Sequence, residues 1–183
     1  MSHTRSTNAA PDQETIARGA KYCCLIDRDW RGRGGRISDE QGALRWLYRV
    51  RDSPSGRGWA NPFNKPDFVV ERMDGQVEVV VRRALFVPPV FHIIDGDSVI
   101  GRIRMISPLR NRYAIDIDRV GSWTFKMPLF TVRCHGDSET GTDIWVVIGP
   151  SQRKWCILIR PGVDDRHLVA ALAFIHNEAW YYD

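Results

Sequence analysis

Residues 168–175, Leu-Val-Ala-Ala-Leu-Ala-Phe-Ile, are apolar without interruption, in a chain whose other apolar runs are short and rich in Val, Ile, Phe, Trp and Tyr. Asp164 and Asp165 come just before, where carboxylates suit the positive end of a helix dipole, and Leu and Ala are good helix formers. The pattern predicts a helix over 164–177, roughly 21 Å long at about 1.5 Å per residue. Its apolar residues surround the axis and leave no polar face, so it must be buried on every side. Whatever else the chain forms has to enclose it.

The enclosing material reads as strands. Runs at 22–27, 44–50, 67–73, 76–83, 90–95, 98–106, 111–118, 122–126, 130–135, 143–148, 154–160 and 179–182 are separated by turn residues, among them Asp74-Gly75, Asp95-Gly96, Gly136-Asp137 and Pro161-Gly162. A period of two puts Val77, Val79 and Val81 on one face, and Tyr113, Ile115 and Ile117 on one face, with charged residues opposite. That is a sheet with one dry and one wet side, as in antiparallel meanders. Asp-Gly pairs are strong hairpin signals, because turns that match strand twist need positive φ. A barrel of about eight strands is filled by its own side chains, whereas twelve strands leave a lumen about as wide as a helix. The expected fold is mainly β: a closed, approximately twelve-stranded antiparallel barrel around a central hydrophobic C-terminal helix.

A row of hairpins followed by a uniformly apolar helix is similar to the tubby C-terminal, LURP-one-related and phospholipid scramblase superfamily. The resemblance is carried by residues 91–103, Phe-His-Ile-Ile-Asp-Gly-Asp-Ser-Val-Ile-Gly-Arg-Ile, and by residues 165–178. It implies a twelve-stranded barrel around a hydrophobic helix, and a binding surface for anionic lipid head groups built from Lys and Arg on neighbouring strands. Scramblases add a cysteine-rich cluster and an acidic calcium segment beside the last helix. This chain has only Cys23-Cys24 and no such acidic loop, so the resemblance does not extend to calcium-dependent scrambling.

Charge narrows the functional classes. The chain has 26 Lys and Arg against 22 Asp and Glu, a formal +4. That excess lies within 28–57, and the segments on either side are neutral. A basic nucleic-acid coat and an acidic tail are excluded for most of the chain. Three units follow: residues 1–20 as a disordered tail with a single large apolar residue, Ile16; residues 21–43 as a basic Gly/Arg-rich approach, with room for a first strand; and residues 44–183 as the barrel.

Within the barrel, Arg102 and Arg104 share one face of a strand, Arg82 and Arg83 end an earlier one, and Arg110 and Arg112 begin the next. Planar guanidinium forks match phosphate, so these six are the candidate anion site. The competing expectation is that they pair across strands with Glu71, Glu78, Asp116 and Asp118. An alternative function is an adaptor for protein or, less favoured, nucleic acid, using Arg28, Trp30, Arg31, Arg33 and Arg36 with the loop aromatics around Trp59 and Phe63. Without such a role, that segment reads as a flexible linker.

Enzyme signals are thin. His135-Gly136-Asp137-Ser138 reads as a surface turn rather than a hydrolase site. His92, His167 and His176 read as core or helix-end histidines, and Asp116 with Asp118 is at most a weak cation site. The four cysteines have no zinc spacing and are expected to be reduced thiols, chiefly buried. No catalytic residue, metal or cofactor is implied. The longest uncharged stretches, eleven residues at 84–94 and at 167–177, are too short for a transmembrane helix, and no secretory signal opens the chain. The expectation is a cytoplasmic, non-enzymatic binding module, peripheral at a membrane.

Overall fold

A computed structural model describes residues 22–28, 33–39, 41–51, 67–85, 87–107, 112–127, 133–148, 153–160 and 166–178. The strands are β1 (Tyr22–Arg28), β2 (Gly34–Asp39), β3 (Leu44–Arg51), β4 (Asp67–Arg72), β5 (Val77–Leu85), β6 (Val90–Asp95), β7 (Ser98–Ser107), β8 (Arg112–Ile117), β9 (Gly121–Lys126), β10 (Arg133–Ser138), β11 (Gly141–Ile148) and β12 (Lys154–Ile159), followed by helix α1 (Arg166–Glu178). Each strand pairs antiparallel with its sequence neighbours, and β1 pairs with β12, Tyr22 opposite Ile159, so the twelve strands form a closed barrel.

The alternation set by the sequence decides which side chains face inward. Val79 and Val81 of β5 and Tyr113, Ile115 and Ile117 of β8 are buried, while Arg82, Arg102 and Arg104 lie outside. Hairpin residues Gly75 and Gly96 have positive φ, 84° and 58°, as their Asp-Gly turns require. Every residue of α1 from Leu168 onward is buried. Phe174 packs against Phe68 of β4 and Phe91 of β6, and His176 lies 4.6 Å from the ring of Trp155 in β12. In the ring of strands β6 and β12 are diametrically opposed, so one helix touching both spans the lumen.

At its start α1 is tied to the wall. The Asp95 carboxylate, at the end of β6, accepts from Arg166 Nη2 at 2.6 Å and sits 2.9 Å from His167 Nε2. The helix therefore begins at the end of the barrel where β6 turns into β7, here called the near end, and finishes at the far end, beside Phe68, Phe91 and Trp155. The His167 hydrogen bond, assisted by Arg166, holds the Asp95 carboxyl below its ordinary value. A depressed carboxyl stabilises the fold above its unfolded pKa and loses that contribution as pH falls through the folded value. Unfolding free energy, measured in urea at stepwise lower pH, should thus decline as the carboxylate range is crossed. Asp95→Asn should start lower at neutral pH and decline less.

Three expectations need correction. Residues 34–39 are not part of a flexible linker: β2 is a stave between β1 and β3, and the boundary drawn at Leu44 cuts through the barrel. The Gly-rich segment forms a strand because Gly35 lies where a Cβ would run into the Asp27 carbonyl and come within 2.5 Å of the Tyr48 ring, while Ile37 is fully buried. Likewise His135-Gly136-Asp137-Ser138 is strand, paired with β11 through a bulge at Gly136/Asp137, and the turn follows it. The strand read at 130–135 extends to Ser138, and its first three residues lie outside the described ones. The tail at 1–20 and the strand expected at 179–182 lie outside the described residues.

Candidate functional site

Most of the expected arginines are engaged across strands. Arg82 grips Asp67 with a two-point fork, Nε to Oδ1 at 2.9 Å and Nη2 to Oδ2 at 2.6 Å, and that bond raises the guanidinium pKa further. Arg102 Nε donates to Asp116 Oδ2 at 3.0 Å, and Arg104 Nη2 lies 3.6 Å from the same oxygen. Arg49 pairs with Glu71 at 2.6 Å, and Arg72 approaches Glu78 at 3.8 Å. Arg83 lies over the Phe91 ring, 5.6 Å from its centroid. Arg112 stands opposite Lys126 of β9 and carries no ion pair among the described residues. Arg110 is outside them. The described arginines do not converge on one pocket: Arg82, Arg102 and Arg104 are spread over the outer face of β5 and β7, while Arg83 stands opposite the inward-facing Phe91.

The arrangement that emerges is larger. Strand direction alternates, so basic residues late in one strand and early in the next gather at one end. At the far end Arg28 is the last residue of β1, Arg33 directly precedes β2, and β2 and β3 contribute Arg36, Arg49 and Arg51. Going round the ring, Arg82, Arg83, Arg104 and Arg112 come next, and Lys126, Arg133, Arg153 and Lys154 complete it. Among the described residues the acids in this half are Asp27, Asp67 and Glu178. Asp67 is held by Arg82, and Asp27 lies 3.7 Å from Lys154. The near half is richer in acids: Asp39, Glu71, Glu78 and Asp95 lie near the ends of its strands and Asp74, Asp97, Asp118 and Glu139 occupy its turns, against Arg45, Arg72, Arg119, Arg160 and Arg166. A six-residue strand spans roughly 20 Å, beyond the screening length of about 8 Å at physiological salt, so the two ends act as separate electrostatic surfaces.

Of the alternative adaptor residues, Arg28 and Arg36 belong to barrel strands, Arg33 directly precedes β2, and Trp30 and Arg31 lie outside the described residues. The hydrolase-like atoms do not assemble. Ser138 Oγ bonds Thr140 and the Gly141 carbonyl, while Asp137 accepts from Lys126 at 2.6 Å and Thr142 at 2.7 Å. Burial pushes the Asp137 carboxyl up, but those hydrogen bonds outweigh it and hold it below its ordinary value. Asp143, fully buried, receives Trp123 Nε1 at 3.0 Å and pairs with Arg160 at 2.9 Å. Burial pushes the Cys134 thiol up to about 12, which leaves it an inert core residue. The side chains of Cys23 and Cys24 are outside the description.

Comparison with known protein families returns no match, and neither does comparison with curated proteins. Among solved structures, the chain is similar to the X-ray structure of a protein from Arabidopsis thaliana, a LURP-one-related protein, with a TM-score of 0.59 and 12% sequence identity. The match covers 90% of this chain and 96% of that one. At this identity the likeness is one of fold alone.

Proposed function

We propose that the protein is a non-enzymatic module that recognises anionic, phosphate-bearing lipid head groups at the far end of its barrel. The observation that carries this reading is the segregation of charge: arginines and lysines on or beside nine of the twelve strands, all but β4, β6 and β11, lie toward the end where α1 finishes, with few acids among them. Guanidinium groups suit phosphate by charge and by planar two-point geometry. The best-placed residues are Arg112, which has no ion pair among the described residues, and Arg104 on the adjacent strand, which approaches Asp116 at 3.6 Å without a hydrogen bond among the described contacts. Arg82 and Arg102 are less available, since Asp67 and Asp116 already hold them.

The test is co-sedimentation of the full chain with phosphatidylcholine vesicles, with and without phosphatidylserine or a phosphoinositide. Binding should require the anionic lipid and weaken as salt rises. A cation near an anionic membrane surface contributes about 1 kcal/mol, so Arg104→Ala/Arg112→Ala should cost about 2 kcal/mol, roughly thirtyfold. Arg102→Ala should cost less than about threefold. Wild-type protein that ignores both anionic lipids would end this reading.

A further inference from the structure

The apolar surface at the far end is arranged around the turn from β5 to β6. Val87 is 81% exposed, the most of any large apolar side chain described, and Leu85 and Ile106 are 58% and 54% exposed. They belong to neighbouring parts of the wall. Leu85 pairs with Val90, Val90 pairs with Arg104 of β7, and Ile106 lies two residues beyond Arg104 on the same outer face. The turn is anchored, because Met105 N donates to the Pro89 carbonyl at 3.1 Å. Its two prolines, Pro88 and Pro89, carry no backbone N–H. A tip without those donors enters an interface short of water at lower cost than an ordinary turn.

Exposed apolar residues also occur at the near end: Met73, Val77 and Val99. There they stand beside Asp74, Glu78 and Asp97. At the far end the cations on the same stretch of wall are Arg83 of β5, which donates to the Leu85 carbonyl at 3.4 Å, Arg104 of β7 and Arg112 of β8. Apolar exposure is thus common to both ends; at the near end the adjoining cation, Arg72, lies 3.8 Å from both Asp74 and Glu78, and an excess of cations over acids is what distinguishes the far end.

We infer that the Val87-Pro88-Pro89 turn, with Leu85 and Ile106 beside it, inserts into the surface of an anionic bilayer while the arginines on the same stretch of wall meet the lipid phosphates. The inference rests on the head-group reading and adds to it: the partner is a membrane surface, and the protein stands on it by its far end. Charge complementarity selects this occupant, since a bilayer interface presents phosphate above hydrocarbon and the tip presents guanidinium beside exposed apolar side chains.

Val87→Asp, Ile106→Asp and, as a near-end control, Val99→Asp separate the two layers of the argument. All three positions are exposed, so the variants should fold, and circular dichroism checks this. Each protein is measured against vesicles of phosphatidylcholine with about 30% phosphatidylserine, and against soluble inositol trisphosphate by calorimetry. Val87→Asp should weaken vesicle binding about tenfold or more, Ile106→Asp somewhat less, and Val99→Asp not at all, with affinity for the soluble head group unchanged within about twofold. Vesicle binding by Val87→Asp equal to wild type overturns insertion and leaves the head-group reading standing. So does wild-type binding of the soluble ligand without the vesicles. Equal loss of both ligands in Val87→Asp overturns insertion as well, by making Val87 part of the head-group site. Wild-type failure on both ligands removes the head-group reading and the inference together. Sedimentation velocity covers the rival occupant: a wild-type oligomer that Val87→Asp converts to a monomer would mean that a second copy covers the tip, and would also overturn insertion.

Discussion

Leu172→Asp should abolish folding. Leu172 is fully buried in the middle of α1, inside the barrel. Truncating such a side chain costs about 2–5 kcal/mol, and placing an unpaired carboxylate among apolar residues adds several kcal/mol more. The sum rivals the whole stability of an ordinary domain, about 5–15 kcal/mol. Urea titration followed by tryptophan fluorescence should therefore show no cooperative transition in Leu172→Asp. Leu172→Ala should keep a transition and lose about 2–5 kcal/mol, toward the upper part of that range, because Ala170, Ala171 and Ala173 have no side-chain length with which to fill the space. A helix lying on the outside of the barrel would tolerate both changes, so wild-type stability in Leu172→Asp is the result that would sink the enclosed arrangement.

Gly35→Ala should be the most damaging single-methyl addition in the first strands. The new Cβ would meet the Asp27 carbonyl of β1 and sit 2.5 Å from Cζ and Oη of Tyr48 on β3. Part of that contact is with backbone, which cannot rotate away, so β2 must shift out of register with one neighbour. Overpacking of this kind costs about 1–3 kcal/mol, and the upper part of that range is expected here. Gly42→Ala provides the comparison. It has a positive φ of 79° but open space around it, and should cost about 1 kcal/mol from backbone strain alone. If residues 34–39 were a flexible linker, Gly35→Ala would be neutral or slightly stabilising. Denaturation midpoints of the two variants decide between stave and linker. The same geometry means that deleting 28–36 would remove part of the wall and could not isolate an adaptor segment.

The comparison between sequence and structure turns on particular residues. The inward faces of β5 and β8 were legible because Val79, Val81, Tyr113, Ile115 and Ile117 recur with a period of two. The enclosed helix was legible because 168–175 offers no polar face. β2 was not, since Gly34, Gly35 and Arg36 give no alternation, and its fitness as a strand depends on Tyr48, on the next strand. Cross-strand ion pairs such as Arg82–Asp67 were foreseeable as a class but not by partner, because register is invisible along the chain.

The basic far end was hidden for a different reason. Counted along the sequence, residues beyond 57 are neutral. Yet Glu78 precedes Arg82 and Arg83 on an outbound strand, while Arg112 precedes Asp116 on an inbound one. Reversal at every hairpin sorts these charges by end, so the informative quantity is charge against position within each strand, not charge against residue number.

Pairing of Tyr22 with Ile159 also constrains the order of folding. The last seam of the wall joins residues far apart in sequence, and the helix that fills the lumen follows the final strand. Until residues 154–178 are in place, β1 has lost one of its two neighbours, and the inner faces of the other strands have nothing to pack against. Local hairpins can form early, but closure and filling must come together and late. Such non-local assembly is slow and leaves apolar strand faces exposed to other chains in the meantime.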